Sequence, residues 1–174
     1  MGARTGDADF EELDLWAASG GLREEVRDRW AHEGILGLLP SQLLRVMRWA
    51  ALHSGAAPPQ ALGDCPEAII EATTRQAFDS IPWRGFGMLP VEILQRVGPN
   101  VGIVEASAIL SCVCPEFYGV FSPALLVAAG MERVGLVQEA YPELGTRLTY
   151  KAAHLEMHVA KLERALWACD ILGG

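Results

Sequence analysis

Apolar residues along this chain recur at spacings of three and four, and alternating runs joined by Asn-Gly or Asp-Gly turns are absent, so the pattern predicts an all-α protein. Phe10, Leu13 and Trp16 mark one face of a first helix, opened by a capping box of Asp9 and Glu12 and stopped by Gly20 and Gly21. Leu22, Val26 and Trp30 stripe a second helix up to Gly34, with Glu25 and Arg29 one turn apart on its outer side. A third is predicted from Pro40, turning Leu43, Leu44, Met47 and Ala51 inward and ending near Ser54 and Gly55. A fourth starts at Asp64, where Asp64 and Glu67 repeat the capping-box spacing, and carries Ile69, Ile70 and Phe78.

Beyond it, Ile81 to Gly87 reads as loop, Pro90 opens a short helix closed by Gly98-Pro99, and Asn100 caps an apolar helix from Val101 to Cys114. Ser122-Pro123 starts another that stops at Gly130, and Met131 to Ala140 supplies a further segment. A long amphipathic helix from Thr146 to about Ile171 completes a single-domain bundle of seven to nine helices over residues 1–174, with 1–8 expected to be flexible. Gly37-Leu38-Leu39-Pro40 is echoed by Gly87-Met88-Leu89-Pro90, and Cys65-Pro66-Glu67 by Cys114-Pro115-Glu116. Helix-start grammar produces such pairs more readily than duplication does.

The last helix carries the strongest periodicity. Leu148, Ala152, Leu155, Val159, Leu162, Leu166 and Cys169 follow at steps of four and three, as in a coiled-coil seam. Lys151, His154, His158 and Lys161 border one side, and Glu156, Glu163 and Asp170 the other. Such a seam can dock a second copy or a protein partner through Leu155, Val159, Leu162 and Leu166. His154 and His158, one turn apart on the expected helix, are the candidate metal pair, with iron or another divalent ion as the cofactor under that alternative.

From Glu105 to the end, the last 70 residues, the layout resembles the heme-oxygenase-like helical bundles that include di-iron oxygenases. Their closing helix carries a His, an acid four residues on and a second His three further. Here His154 stands at the first position, His158 at that of the acid and Lys161 at that of the second His. The resemblance implies the bundle fold with the metal site lost or rebuilt.

Composition narrows the function. Hydrophobic residues make up 51% and charged residues 21% of the 174, enough to bury a core without disulfides or a structural metal. With 14 basic and 22 acidic residues the net charge is −8, which repels a phosphate backbone and argues against nucleic acid as a partner. The longest apolar reach, Val101 to Cys114, contains Glu105 and stops at Pro115, too short to span a bilayer. Met1 to Phe10 lacks the basic start and apolar run of a secretory signal, so a cytoplasmic location is expected, where Cys65, Cys112, Cys114 and Cys169 stay reduced.

Glu105 and Glu116 are the only charges before Gly130 in the stretch that begins at Val101, which makes Glu105 the candidate acid or base, sharing a helix face with Cys112. Trp83, Arg84 and Phe86 place two aromatics and a guanidinium on one loop, a composition typical of binding hot spots and pocket lids. Together these features favour a non-catalytic or accessory binding protein without a cofactor. It would dock a partner or second copy along the terminal seam, or hold an apolar small molecule in a core pocket beneath the central helix near Glu105, gated by the Trp83 to Phe86 loop, with Trp83, Arg84, Phe86 and Cys112 as the ligand-binding residues. The alternative is a small-molecule enzyme, either a metal-dependent oxygenase or a cofactor-free cyclase or isomerase using Glu105.

Overall fold

The computed structural model describes residues 24–26, 28–34, 36–54, 58–59, 62–131 and 138–163, with the single residues 21 and 165. Helix is the only regular secondary structure among them. The expected first helix with Phe10, Leu13 and Trp16 lies outside the described residues, as do Leu22, Leu166, Cys169 and most of Met131 to Ala140.

Residues 24–26 and 28–33 are helical (α1), and α2 runs from Pro40–Ser54. Pro40 suits the first turn of α2 because its fixed φ is already helical and its missing N–H would have no partner there. The α1 outer pair does not close on itself. Glu25 instead reaches across to Arg45 at 3.1 Å and to the buried Gln42 at 2.7 Å, tying α1 to α2. Trp30 packs on Phe78 of α3, ring centroids 5.3 Å apart.

Helix α3 spans Glu67–Asp79 with Pro66 at its N-cap, two residues later than a capping box on Asp64 predicts, and Asp64 is exposed. Pro66 explains the shift: the residue before a proline is driven out of helical conformation, so Cys65 cannot be helical and Asp64 stands too far out to cap. Ile70 and Phe78 are buried, whereas Ile69 faces solvent. Helix α4 (Leu89–Leu94) is short, with Pro90 in its first turn. Helix α5 (Ile103–Val113) is enclosed by α2 and α4, and every residue from Ala106 to Val113 is buried. It is the central helix, apolar all round as a fully covered helix must be.

Ser122 caps α6 (Pro123–Ala128), its hydroxyl accepting the Leu125 N–H at 3.4 Å, and Gly130 follows with φ +70°. A 3₁₀ turn, Gln138–Ala140, leads into α7 (Tyr141–His154). The long terminal helix is not continuous. It starts five residues before Thr146, ends at His154, and resumes over residues 159–163 (α8). The break is a Schellman motif: the Met157 N–H bonds Ala152 O at 2.9 Å, the Glu156 N–H bonds Ala153 O at 3.2 Å, and Glu156 sits in the left-handed region with φ +52°.

One hydrophobic cluster runs from Val26 of α1 to Leu162 of α8. No described helix is long and apolar enough to cross a membrane. Of the two sequence echoes, Gly37–Pro40 and Gly87–Pro90 each lead into a helix that packs on α5. Cys65-Pro66-Glu67 opens α3, but Cys114-Pro115-Glu116 follows the end of α5, so the second echo has no structural counterpart.

Candidate functional site: a pinned loop over a buried polar cluster

After α5 the chain passes through the interior without regular structure. Tyr118, Gly119, Val120 and Phe121 are all buried, so their backbone groups must find partners inside the protein. Side chains of three helices supply them. Ser107 of α5 accepts the Phe121 N–H at 2.8 Å, and its hydroxyl donates to Val104 O at 2.8 Å. The Tyr141 hydroxyl of α7 donates to Gly119 O at 3.0 Å, and the Glu163 carboxylate of α8 accepts the Val120 N–H at 3.2 Å. Glu163 is only 2% exposed.

Tyr118 connects this cluster to the loop between α3 and α4. Its hydroxyl accepts the Gly87 N–H at 3.2 Å and donates to Gly87 O at 3.0 Å. Phe86, next along the loop, sits between Tyr118 (5.3 Å) and Tyr141 (5.2 Å), and Tyr141 meets Phe121 edge-on at 5.1 Å. The Phe86 ring lies where a side chain on Gly145 of α7 would be, so a glycine is needed there for close approach.

Burial pushes the Tyr118 hydroxyl up to about 12, against a lowering by its bond to Gly87. Tyr141 is raised well above the ordinary tyrosine value, first by burial, then by the negative charge that Tyr118 and Glu163 would place beside it, with Ser107 acting the other way. Both phenols are therefore neutral hydrogen-bond donors at neutral pH. The cluster holds backbone in place, and through Gly87 and Phe86 it fixes the inner half of the loop.

The outer half of that loop faces water. Trp83 is 86% exposed, and the Arg84 guanidinium carbon lies 4.5 Å over its ring. The four residues grouped as ligand-binding in the sequence thus separate: Trp83 and Arg84 point outward, Phe86 joins the aromatic cluster, and Cys112 is buried in α5. Glu105 is half-buried in the first turn of α5, where its carboxylate accepts the Gly102 N–H at 2.9 Å; the structure gives it the work of a helix cap.

The expected pairing of His154 and His158 on one helix is not formed. His154 ends α7, and His158 lies beyond the Schellman break with Nδ1 3.6 Å from Glu116 Oε1. Among the described residues no three His, Cys, Asp or Glu side chains gather as a metal site. The seam is likewise not a continuous outer stripe. Val159 and Leu162 are buried in the protein's own core, Leu155 is 46% exposed, and Leu166 is outside the described residues.

An apolar cleft lies between α2 and the segment after α4, lined among others by Leu43, Met47, Cys65 and Val101, with room for about one water molecule. The Cys65 thiol there donates to Val97 O at 2.9 Å. No protein-family model matches the chain, and no curated protein and no solved structure is similar enough to count as a relative.

Sequence reasoning missed Ser107, Tyr118, Tyr141 and Glu163. Glu163 falls on the acidic border of the expected seam, and the signal that could move it inward is its place one turn after Val159, on the same helix face as that buried residue.

Proposed function

We propose that this protein is a non-catalytic binding protein that engages a protein partner through the outer half of the α3–α4 loop, Trp83 and Arg84. The observation that carries this reading is a tryptophan 86% open to water on a loop whose neighbouring residues are locked into the core. A large indole left in water forgoes roughly 2–3 kcal/mol of burial, which a partner surface can recover. Tryptophan and arginine are the residues that most often dominate interfaces, and a loop already held by Phe86 and the Tyr118–Gly87 bonds loses little freedom on docking. The seam of the terminal helix, the docking surface expected from sequence, is a poorer candidate because Val159 and Leu162 are covered by this chain itself.

A photo-reactive amino acid placed at position 83 in cells that make the protein tests the reading, with exposed Glu92 on α4 as the control position. Cross-linked protein adducts are expected from position 83, and they should diminish when Arg84→Glu is added. If position 83 gives no more adducts than position 92, the loop is not a docking site and the proposal fails.

A further inference from the structure

The chemistry of the loop narrows the kind of partner. From Ser80 to Val91 the chain carries a single charge, Arg84, in a protein whose net charge is −8. Among the described residues Arg84 forms no ion pair, and its contact is the Trp83 ring 4.5 Å away. Stacking fixes the guanidinium plane without engaging its edge, so its N–H fork remains available for a planar anion. Arg147 of α7, the helix on which Phe86 rests, is already held by Glu143 at 2.6 Å and by Ala129 O at 3.2 Å.

We infer that the Trp83–Arg84 pair recognises a protein segment presenting a carboxylate beside an aromatic or aliphatic side chain. The carboxylate meets the guanidinium fork in two parallel hydrogen bonds, and the apolar neighbour covers the indole. One guanidinium suits the single charge of Asp or Glu; a phosphate dianion calls for more than one cation. The acidic surface of this protein does not oppose the choice at the loop itself, because Asp79 and Glu92 lie at the ends of α3 and α4 and the stretch between them contains no carboxylate. The same stretch disfavours a basic partner, which would meet Arg84 with like charge.

This inference rests on the docking role proposed for the loop, and its test separates the two. A random peptide library is selected on the immobilised protein and counter-selected on Trp83→Ala. Enriched peptides are expected to carry Asp or Glu next to Phe, Leu or Trp. Arg84→Gln should weaken them at least about fivefold, as for an interface hot spot, while Arg75→Gln, an exposed arginine on α3, should leave them unchanged. Peptides that are neutral or basic throughout, or that bind Arg84→Gln as well as wild type, overturn the carboxylate preference. A selection that enriches nothing dependent on Trp83 also overturns it. Position-83 cross-links then decide the remainder: with adducts present only the partner chemistry is wrong, and without them the docking role falls as well.

Discussion

At Gly145 two effects of opposite sign compete, and their magnitudes decide the outcome. An alanine inside a helix is ordinarily favoured over glycine by about 1 kcal/mol. Here its methyl would overlap the Phe86 ring, which cannot swing away because Tyr118 and Tyr141 stand on either side at 5.3 and 5.2 Å. Overpacking of this kind costs about 1–3 kcal/mol, so Gly145→Ala is expected to lower the urea midpoint despite the better helix former. A midpoint that rises would show that Phe86 has another place to go. The Tyr118 hydroxyl is the second residue of consequence. Tyr118→Phe strands both the N–H and the carbonyl of Gly87, with a loss of about 1–3 kcal/mol. Because that contact holds the loop, trypsin should also cleave after Arg84 faster in the variant than in wild type. Equal cleavage rates would mean that the loop is fixed by Phe86 alone.

The break between α7 and α8 makes a prediction about a whole element. Were the terminal helix continuous through Glu156, glycine there would destabilise it by about 1 kcal/mol. In the Schellman motif Glu156 occupies a left-handed position with φ +52°, which costs an L-residue about 1–2 kcal/mol, more than the roughly 0.5–1 kcal/mol of extra chain freedom that glycine must give up. Glu156→Gly is therefore expected to stabilise the protein slightly and Glu156→Ile to destabilise it, read from denaturant midpoints; the reverse order would restore the unbroken helix. Helix starts were legible where a residue's own covalent geometry enforces them, as at Pro40, Pro90 and Ser122-Pro123. This stop was not, because the residue in the left-handed position is not glycine and the apolar rhythm of Leu148, Ala152, Val159 and Leu162 continues across it. The rhythm marks burial within the same chain, as where the Val159 side chain lies against Gly119, as readily as a seam for another.

Across the whole molecule, the helical class and the acidic charge follow from patterns that a single pass along the chain can sum, whereas the buried cluster depends on residues 107, 118, 141 and 163 meeting from distant elements, which periodicity does not report. That cluster sets the alkaline limit of the fold. Tyr118 is held up to about 12 by burial, and Tyr141 is raised well above the ordinary value. A tyrosine whose folded-state value exceeds its unfolded value of about 10 contributes fully below the unfolded value and loses that contribution as pH climbs through the folded one. Stability should therefore hold to about pH 10 and fall by about 2–3 kcal/mol for Tyr118 alone by pH 12, with Tyr141 adding to the loss. The net charge of −8 grows more negative over the same range, and self-repulsion steepens the fall. The chain has three tyrosines, and Tyr150 is exposed. In Tyr150→Phe, tyrosinate absorbance is expected to stay flat through about pH 10 and to rise only as pH approaches about 12 or as helical circular dichroism is lost, because burial disfavours both remaining phenolates. Absorbance that rises near about pH 10 while the helices persist would mean that Tyr118 or Tyr141 meets water in the folded protein. The interior around Gly119 would then be open to solvent, and the locked support beneath the Trp83 loop would be lost with it.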